Sequence, residues 1–492
     1  MSLSAKIAHN TIVQLIGKVI STLLGLFSLA LMTRYLGPNG FGEYTTITTF
    51  LTFFAVLADF GLTLVTTQMI SHKSEDEKKL LNNLFGFRLI SAVLFLSFAP
   101  IFVVFFPYNL TIKLGVLITV IAFVFPALNQ VLIGLFQKRL SMGRAALAEV
   151  LSRLTLIFGF LLSQKLDAGL TGILLATVAA SAINFIFNYF FSLKFSFIKP
   201  EFDWFIWKKI FSKSWPLAIT IMLNLIYLRA DTLLLSLFKD AGEVGLYGAT
   251  YRIIDVLTTI PFMFAGLILP ILTLSWSENN HFYFKKILQK SFDIMALSAI
   301  PLAIGAQFLS DPIMTFVAGR DFSSSGLILK FLIFAVVAIF LGTMFSHAVI
   351  ALDKQKKMIG FYIFTSLSSL AAYLILIPRF SYLGAASVTI YSEVLIAIFS
   401  AYCVFKYSHF IPKLNILFKS LAAGILMGLF LYAFPTYYQN TLGGLILIII
   451  LASLVYFLCL SLLGGIKPED LETIFKRQNK TGGQNYGPTN NF

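Results

Sequence analysis

Charged side chains lie inside long apolar stretches of this sequence, where charges are costly. Five of them are basic and could bind an anion: Lys18, Arg88, Arg153, Arg229 and Arg252. A charge at membrane depth costs about 2.5–3.5 kcal/mol on insertion scales, so such residues usually face a polar cavity. Arginine side chains pair well with phosphate and pyrophosphate groups. The pattern therefore predicts a cationic cavity that takes an anionic ligand.

Acidic residues accompany these cations: Asp59, Glu149, Asp231, Asp255 and Glu393. We expect them to balance the cationic charge or to bind a coupling ion. Structural roles stay open for some of them. Glu149 precedes Arg153 by four residues, so the two share a helix face and could pair. Asp59 could cap the following helix, and the long side chain of Arg88 could reach the membrane surface.

Motifs of soluble enzymes are missing from the sequence. It has no Walker A loop and no GxSxG, HExxH or CxxC pattern. The two cysteines, Cys403 and Cys459, lie in apolar runs, so neither a disulfide nor a metal site is expected. We expect no enzyme activity and no cofactor, with H⁺ or Na⁺ as the candidate coupling ion.

Composition indicates how these charges are held. Hydrophobic residues make up 58% of the 492 residues, charged residues only 12%, and the mean hydropathy is +0.87. These values predict an all-α polytopic membrane protein. A helix needs roughly 20 apolar residues to cross the hydrocarbon, which predicts fourteen spans at about 11–33, 42–63, 83–106, 113–136, 144–163, 170–193, 214–237, 246–273, 288–309, 326–350, 358–378, 383–405, 414–434 and 442–464.

Basic residues predict the orientation of the spans. Of the 37 Lys and Arg residues, 25 fall in alternate loops that we assign to the cytoplasm, and seven fall in the opposite loops. Cytoplasmic loops collect Lys and Arg, so both termini are expected in the cytoplasm. The same rule accounts for the net charge of +15. We therefore expect membrane lipids as partners and no nucleic acid.

The sequence also contains an internal repeat. The turn at 36–44 resembles the turn at 239–247, and both end in Gly-x-Tyr. Two further pairs of segments recur in the same order at similar offsets, which predicts two six-helix halves in parallel orientation. We predict an N-terminal lobe at 1–208, a C-terminal lobe at 209–410 and two added helices at 411–466. A cytoplasmic tail would follow at 467–492, disordered from about 478 because it is rich in Asn, Gly and Gln.

Several motifs resemble those of a known family. They include Arg34-Tyr35-Leu36-Gly37-Pro38, followed by Gly40-Phe41-Gly42-Glu43-Tyr44, then Ala58-Asp59-Phe60-Gly61-Leu62 and later Tyr382-Leu383-Gly384-Ala385-Ala386. They are similar to the polysaccharide-transport branch of the multidrug/oligosaccharidyl-lipid/polysaccharide exporter superfamily, which includes the O-antigen and capsule repeat-unit flippases of the Wzx type. The resemblance covers nearly the whole chain. At Gln68 the chain departs from the family pattern, in which an Arg is common.

The resemblance implies a V-shaped, MATE-like transporter in the bacterial cytoplasmic membrane. It implies movement of an undecaprenyl-pyrophosphate-linked repeat unit of O-antigen or lipopolysaccharide from the inner to the outer leaflet by alternating access. For some relatives, the resemblance also implies that transport is coupled to a proton or sodium gradient. Polymerase and chain-length proteins of the same polysaccharide pathway would be partners.

Three alternatives remain open on the sequence. A drug exporter of the same superfamily would prefer an acidic cavity for cationic drugs, which the buried cations disfavour. A peptidoglycan-precursor flippase would share the expected fold and ligand chemistry. A membrane-embedded polysaccharide polymerase would need a sizeable external loop, and the external loops between the predicted spans are short.

Overall fold

The computed structural model describes residues 3–71, 76–435 and 441–465, and these ranges contain helices but no strand. The predicted disordered tail lies outside the described residues. The helices are α1 (Leu3–Asp59), α2 (Leu62–Ser71), α3 (Glu77–Val103), α4 (Leu110–Lys138), α5 (Met142–Lys165), α6 (Gly169–Ser192), α7 (Trp204–Phe238), α8 (Ala241–Ser277), α9 (His281–Ala318), α10 (Ser325–Ala351), α11 (Gln355–Ser408), α12 (Asn415–Ala433) and α13 (Leu442–Leu462), with a 3₁₀ turn at Arg320–Phe322.

Two of the helices break in the middle and cross the membrane twice. Gly37 interrupts α1 at φ 64 and ψ −178, and Pro38 follows it. Ser381 interrupts α11 at φ 52 and ψ −134, three residues after Pro378. A positive φ cannot continue a right-handed helix, so the chain turns back at both residues. Each break falls between two predicted spans.

The number of spans follows from these breaks. Eleven helices in the described ranges are long and apolar enough to cross a membrane by length and composition. Two of them, α1 and α11, contain two spans each, and α7 adds one more. The predicted fourteen spans in an all-α, multi-pass membrane protein are thus confirmed.

The helices form two lobes and an added pair. Helices α1–α6 pack mainly on one another, as do α7–α11, and α12 and α13 pack on α9. We call the first two groups the N-terminal and C-terminal lobes. Tyr456 of α13 holds the added pair in place, because its hydroxyl lies 2.6 Å from Ser420 Oγ and donates to the carbonyl of Leu297 at 3.0 Å. The residue limits of the lobes stay predictions.

A linker at residues 193–203, between α6 and α7, joins the two lobes at the helix ends that we assign to the cytoplasm. The buried side chains of Asn82 and Asn83 accept from the backbone N–H groups of Lys199 at 3.1 Å and Asp203 at 2.7 Å. Lys79 binds the Asp203 carboxylate at 2.6 Å. This hydrogen bond lowers the pKa of Asp203 and raises the pKa of Lys79. Asp203 also caps α7 by accepting from Phe205 N at 3.0 Å.

The lobes meet at the opposite helix ends, which we call the outer ends. A Cβ placed on Gly42 would lie 1.6 Å from the Ala241 carbonyl oxygen, and one on Gly245 would lie 2.0 Å from the Pro38 oxygen. Only glycine permits so close an approach of two backbones. Arg34 adds a bond across the lobes by donating to the Phe316 carbonyl at 2.6 Å, near the end of α9. The outer ends are therefore closed.

Candidate functional site

A polar cavity of about 250 Å³ lies between α1, α5 and α8, and we call it the arginine cavity. Five of the predicted site residues line it: Lys18, Glu149, Arg153, Arg252 and Asp255. The first three come from the N-terminal lobe and the last two from the C-terminal lobe. Both lobes thus contribute charged groups to one cavity.

Two ion pairs remove part of the charge in this region. Lys18 Nζ lies 3.7 Å from Glu149 Oε1, and Arg229 donates to Asp255 Oδ1 at 2.9 Å. Glu149 therefore pairs with Lys18 and not with Arg153, the structural partner that helix spacing had suggested.

Arg153 and Arg252 have no such partner. Within the described residues, no hydrogen bond or ion pair connects either guanidinium to another side chain. Gly25 of α1 leaves room beside Arg153, since a Cβ there would lie 3.9 Å from the guanidinium carbon. Because both guanidinium groups line the cavity without an acidic partner, the cavity keeps a net positive charge.

A second cavity, of about 310 Å³, shares Tyr44, Arg252 and Asp255 with the arginine cavity. Arg229 lines it, with its guanidinium 5.5 Å from the centre of the Tyr251 ring. Four threonines of α1 form one of its walls: Thr45, Thr48, Thr49 and Thr52. These hydroxyls are not among the site residues predicted from the sequence. Their spacing of three and four residues, which places them on one helix face, was the available signal.

Glu393 of α11 lines a third cavity, of about 360 Å³, in the C-terminal lobe. This cavity shares Arg229, Tyr251 and Asp255 with the second one. Glu393 is only 8% exposed, and no hydrogen bond or ion pair links it to another described residue. Its carboxyl group is therefore available for a proton or a cation.

Asp231 lies in a different setting from Glu393. It is fully buried, and none of the cavities described above includes it. Its carboxylate accepts from the Tyr247 hydroxyl at 2.8 Å, from the Thr232 N–H at 2.6 Å and from the Tyr251 hydroxyl. Thr389 of α11 donates at 3.3 Å. Asp231 thus joins α7, α8 and α11, and the structure does not place it with the cavity residues.

Arg88 corrects the predicted set of cavity residues. It is 2% exposed and forms an ion pair with Asp59 inside the N-terminal lobe. Its Nε also donates to the Ala127 carbonyl at 2.9 Å, and one terminal nitrogen donates to Thr63 at 2.9 Å. The structure therefore places Arg88 away from the described cavities and from the membrane surface, and Asp59 balances its charge between α1 and α3.

A fourth cavity, of about 520 Å³, adjoins the arginine cavity through Lys18 and Glu149. Five amide side chains line it, and we call it the amide cavity: Gln14, Asn129, Gln130, Asn184 and Asn188. It reaches Met142 at the beginning of α5, an end that we assign to the cytoplasm. The connected cavities therefore extend toward the helix ends that we assign to the cytoplasm, while the outer ends are closed.

Fourteen spans in two lobes around charged cavities define a polytopic membrane transporter rather than an enzyme. Residues 7–276 match the model of the family described as polysaccharide biosynthesis protein. This is more than half of the chain, and the chain belongs to that family.

Two relatives and one solved structure are similar to this chain. The chain is 21% identical over 393 residues to the probable low-salt glycan biosynthesis flippase Agl15 of Haloferax volcanii, covering 78% of this chain and 80% of the relative. It is 23% identical over 401 residues to a putative O-antigen transporter of Shigella flexneri, covering 77% and 93%. The solved structure of the lipid II flippase MurJ in an inward closed conformation matches with a TM-score of 0.73 at 18% identity, covering 95% and 99%. The structural match shows a shared fold.

Proposed function

We propose that the protein is a flippase for a lipid-linked oligosaccharide, which it moves from the inner to the outer leaflet by alternating access. Arg153 and Arg252 carry this proposal. They bring two guanidinium groups from different lobes to one cavity, where fork-shaped donors suit the oxygens of a diphosphate. A ligand held between the lobes would also couple its own movement to their rearrangement.

An apolar cavity beside the arginines supports a lipid-linked ligand. It has a volume of about 730 Å³ and lies among α9, α12 and α13. Leu26 and Val256 line both this cavity and the arginine cavity. The anionic head and the polyprenyl chain of one amphiphile would thus find adjacent sites. The names of the relatives, a glycan biosynthesis flippase and an O-antigen transporter, favour an oligosaccharide as the head group.

The binding test compares Arg153→Gln and Arg252→Gln with the wild type in proteoliposomes that contain a polyprenyl diphosphate-linked oligosaccharide. Each substitution should weaken binding by at least about tenfold, since charge-assisted hydrogen bonds contribute about 1.5–3 kcal/mol. Arg320→Gln is the matched control, because Arg320 is exposed and lines none of the described cavities. Unchanged binding by both cavity variants would contradict the proposal.

The alternatives make different predictions in the same assay. A drug exporter would move a cationic dye, which the unpaired arginines should repel. A peptidoglycan-precursor flippase would prefer lipid II over an O-antigen or capsule unit, and competition between the two lipids decides this. The fold shared with MurJ does not distinguish a peptidoglycan-precursor flippase from a flippase for an O-antigen or capsule unit.

We further propose that Glu393 is the coupling residue and that H⁺ or Na⁺ is the coupling ion. Its carboxyl lines a cavity without a partner among the described residues, whereas Asp231 already accepts several hydrogen bonds. Glu393→Gln should retain lipid binding but lose acceleration of transport by an ion gradient. If an ion gradient still accelerates transport by Glu393→Gln, a residue other than Glu393 couples transport to the ion.

The cellular setting is also part of the proposal. We place the protein in the bacterial cytoplasmic membrane with both termini in the cytoplasm, on the distribution of basic residues. Polymerase and chain-length proteins of a polysaccharide pathway would act on the product at the outer surface. Labelling of single cysteines introduced into opposite loops tests the orientation.

A further inference from the structure

Three asparagines from two helices meet in the amide cavity. Asn129 of α4 donates from Nδ2 to Asn184 Oδ1 of α6 at 2.6 Å. Asn188, one turn further along α6, donates to the same oxygen at 3.0 Å. One acceptor thus serves both neighbouring amides, and all three side chains line the cavity.

This arrangement leaves hydrogen-bonding groups unused in a buried place. Asn129 is 3% exposed and Asn188 is 1% exposed, and no described residue donates to the side-chain oxygen of either. Because a buried polar group without a partner costs about 1–3 kcal/mol, the cluster is not explained by stability.

The surroundings indicate which ligand would use these groups. The other polar residues of the cavity are two more amides, Gln14 and Gln130, and the Lys18–Glu149 pair. Neutral amides both donate and accept, which suits hydroxyl and acetamido groups rather than a second anion. The volume of about 520 Å³ lies within the range of about 300–1,000 Å³ that small-molecule sites occupy.

We propose that Asn129, Asn184 and Asn188 form a sugar subsite that binds hydroxyl or acetamido groups of the sugar next to the diphosphate. The proposal rests on the proposed function. A diphosphate at Arg153 and Arg252 would place its first sugar toward the amide cavity, because the two cavities share Lys18 and Glu149. The terminal torsion of asparagine is broad, so each amide turns toward a bound ring at low cost.

Two probes test this subsite on the purified full chain in lipid nanodiscs. One is a polyprenyl diphosphate that carries a single N-acetylhexosamine, and the other is the same polyprenyl diphosphate without the sugar. Asn188→Leu and Asn129→Leu should each weaken binding of the sugar-bearing probe roughly tenfold and leave the sugar-free probe unchanged. Arg252→Gln should weaken both probes.

Controls separate a sugar contact from a structural role. Gln307→Leu removes an amide of α9 that bonds the Lys330 carbonyl at 3.0 Å, and it should affect neither probe. Asn188→Leu loses only a bond within α6, so its melting temperature should stay equal or rise. If Asn188→Leu does not fold, Gln130→Leu takes its place, because Gln130 lies at a less buried position of the same cavity. We expect this variant to lose affinity for the sugar-bearing probe but not for the sugar-free probe.

The possible results are distinct. Equal binding of the sugar-bearing probe by the leucine variants and the wild type overturns the subsite, and so does an equal loss for both probes. If the wild type binds neither probe, the proposed function fails instead. A selective loss for the sugar-bearing probe supports both.

Discussion

Arg88 and Arg153 show how one residue type in similar spans can serve different purposes. Arg88 is buried against Asp59, with further bonds to Ala127 and Thr63. Arg153 lines a cavity and has no acidic partner among the described residues. The first is therefore expected to stabilise the N-terminal lobe and the second to bind a ligand.

Replacing Arg88 tests the structural role. Arg88→Leu leaves the Asp59 carboxylate without its cationic partner, and breaking a buried pair costs about 3–5 kcal/mol. We expect a markedly lower melting temperature in detergent. The double variant Arg88→Leu/Asp59→Asn should recover much of this loss, because no uncompensated charge remains. A melting temperature equal to that of the wild type in the single variant would contradict this role.

Asp231 allows a second test at this scale. Asp231→Asn replaces an acceptor that Tyr247, Tyr251 and Thr232 share with an amide whose NH₂ group cannot accept. The expected loss is about 1.5–3 kcal/mol of stability, measured by thermal unfolding, with little change in lipid affinity. Asp321→Asn, at an exposed position, is the control. A large loss of affinity at unchanged stability would place Asp231 in the site.

At the scale of elements, the linker before α7 depends on polar contacts. Asp203 caps α7 and binds Lys79, while Asn82 and Asn83 hold the preceding backbone. These contacts fix the linker and the start of α7 against α3 of the N-terminal lobe.

Acid should release this linker. Because Lys79 lowers the pKa of Asp203, the pair stabilises the docked linker above the usual aspartate range and loses this effect as the pH falls through the lowered pKa. The protection factors of residues 196–206, which compare measured hydrogen exchange with the intrinsic rate at the same pH, should therefore fall on acidification. Asp203→Asn keeps a capping oxygen but should exchange faster at neutral pH and show less pH dependence. Unchanged hydrogen exchange in Asp203→Asn would show that the Lys79–Asp203 ion pair does not hold the linker in place.

At the scale of the whole molecule, the outer contact sets the conformation. The turns around Gly42 and Gly245 touch through their backbones, and Arg34 of the N-terminal lobe bonds to the last turn of α9. The arginine and amide cavities share Lys18 and Glu149 and extend toward the opposite helix ends, which we assign to the cytoplasm. Alternating access requires this contact to open.

A side chain at position 245 should force the outer contact between the lobes open. Gly245→Val would place a Cβ 2.0 Å from the Pro38 oxygen, and normal contact needs about 3.5 Å or more, so the turns must separate by at least about 1.5 Å. Spin labels at Gln164 and Asp321 should report a longer distance. Gly266→Val, on the same helix with nothing within 4 Å, should not change it. Equal distances in both variants would contradict closure by this contact.

The sequence by itself determined the class of the protein, the fourteen spans and the charged positions. Span length is a local property, since about 20 apolar residues match the hydrocarbon thickness. The breaks at Gly37 and Ser381 also fell where turns between spans were expected.

Only the tertiary structure decided which charges share a cavity. A membrane span is apolar on nearly every face, so its sequence does not reveal how the helix is rotated toward its neighbours. Arg88 faces Asp59, whereas Arg153 faces a cavity that Arg252 enters from the other lobe. Asn129 and Asn184 meet although 55 residues separate them. Such pairs arise from packing between distant helices, which local spacing does not encode.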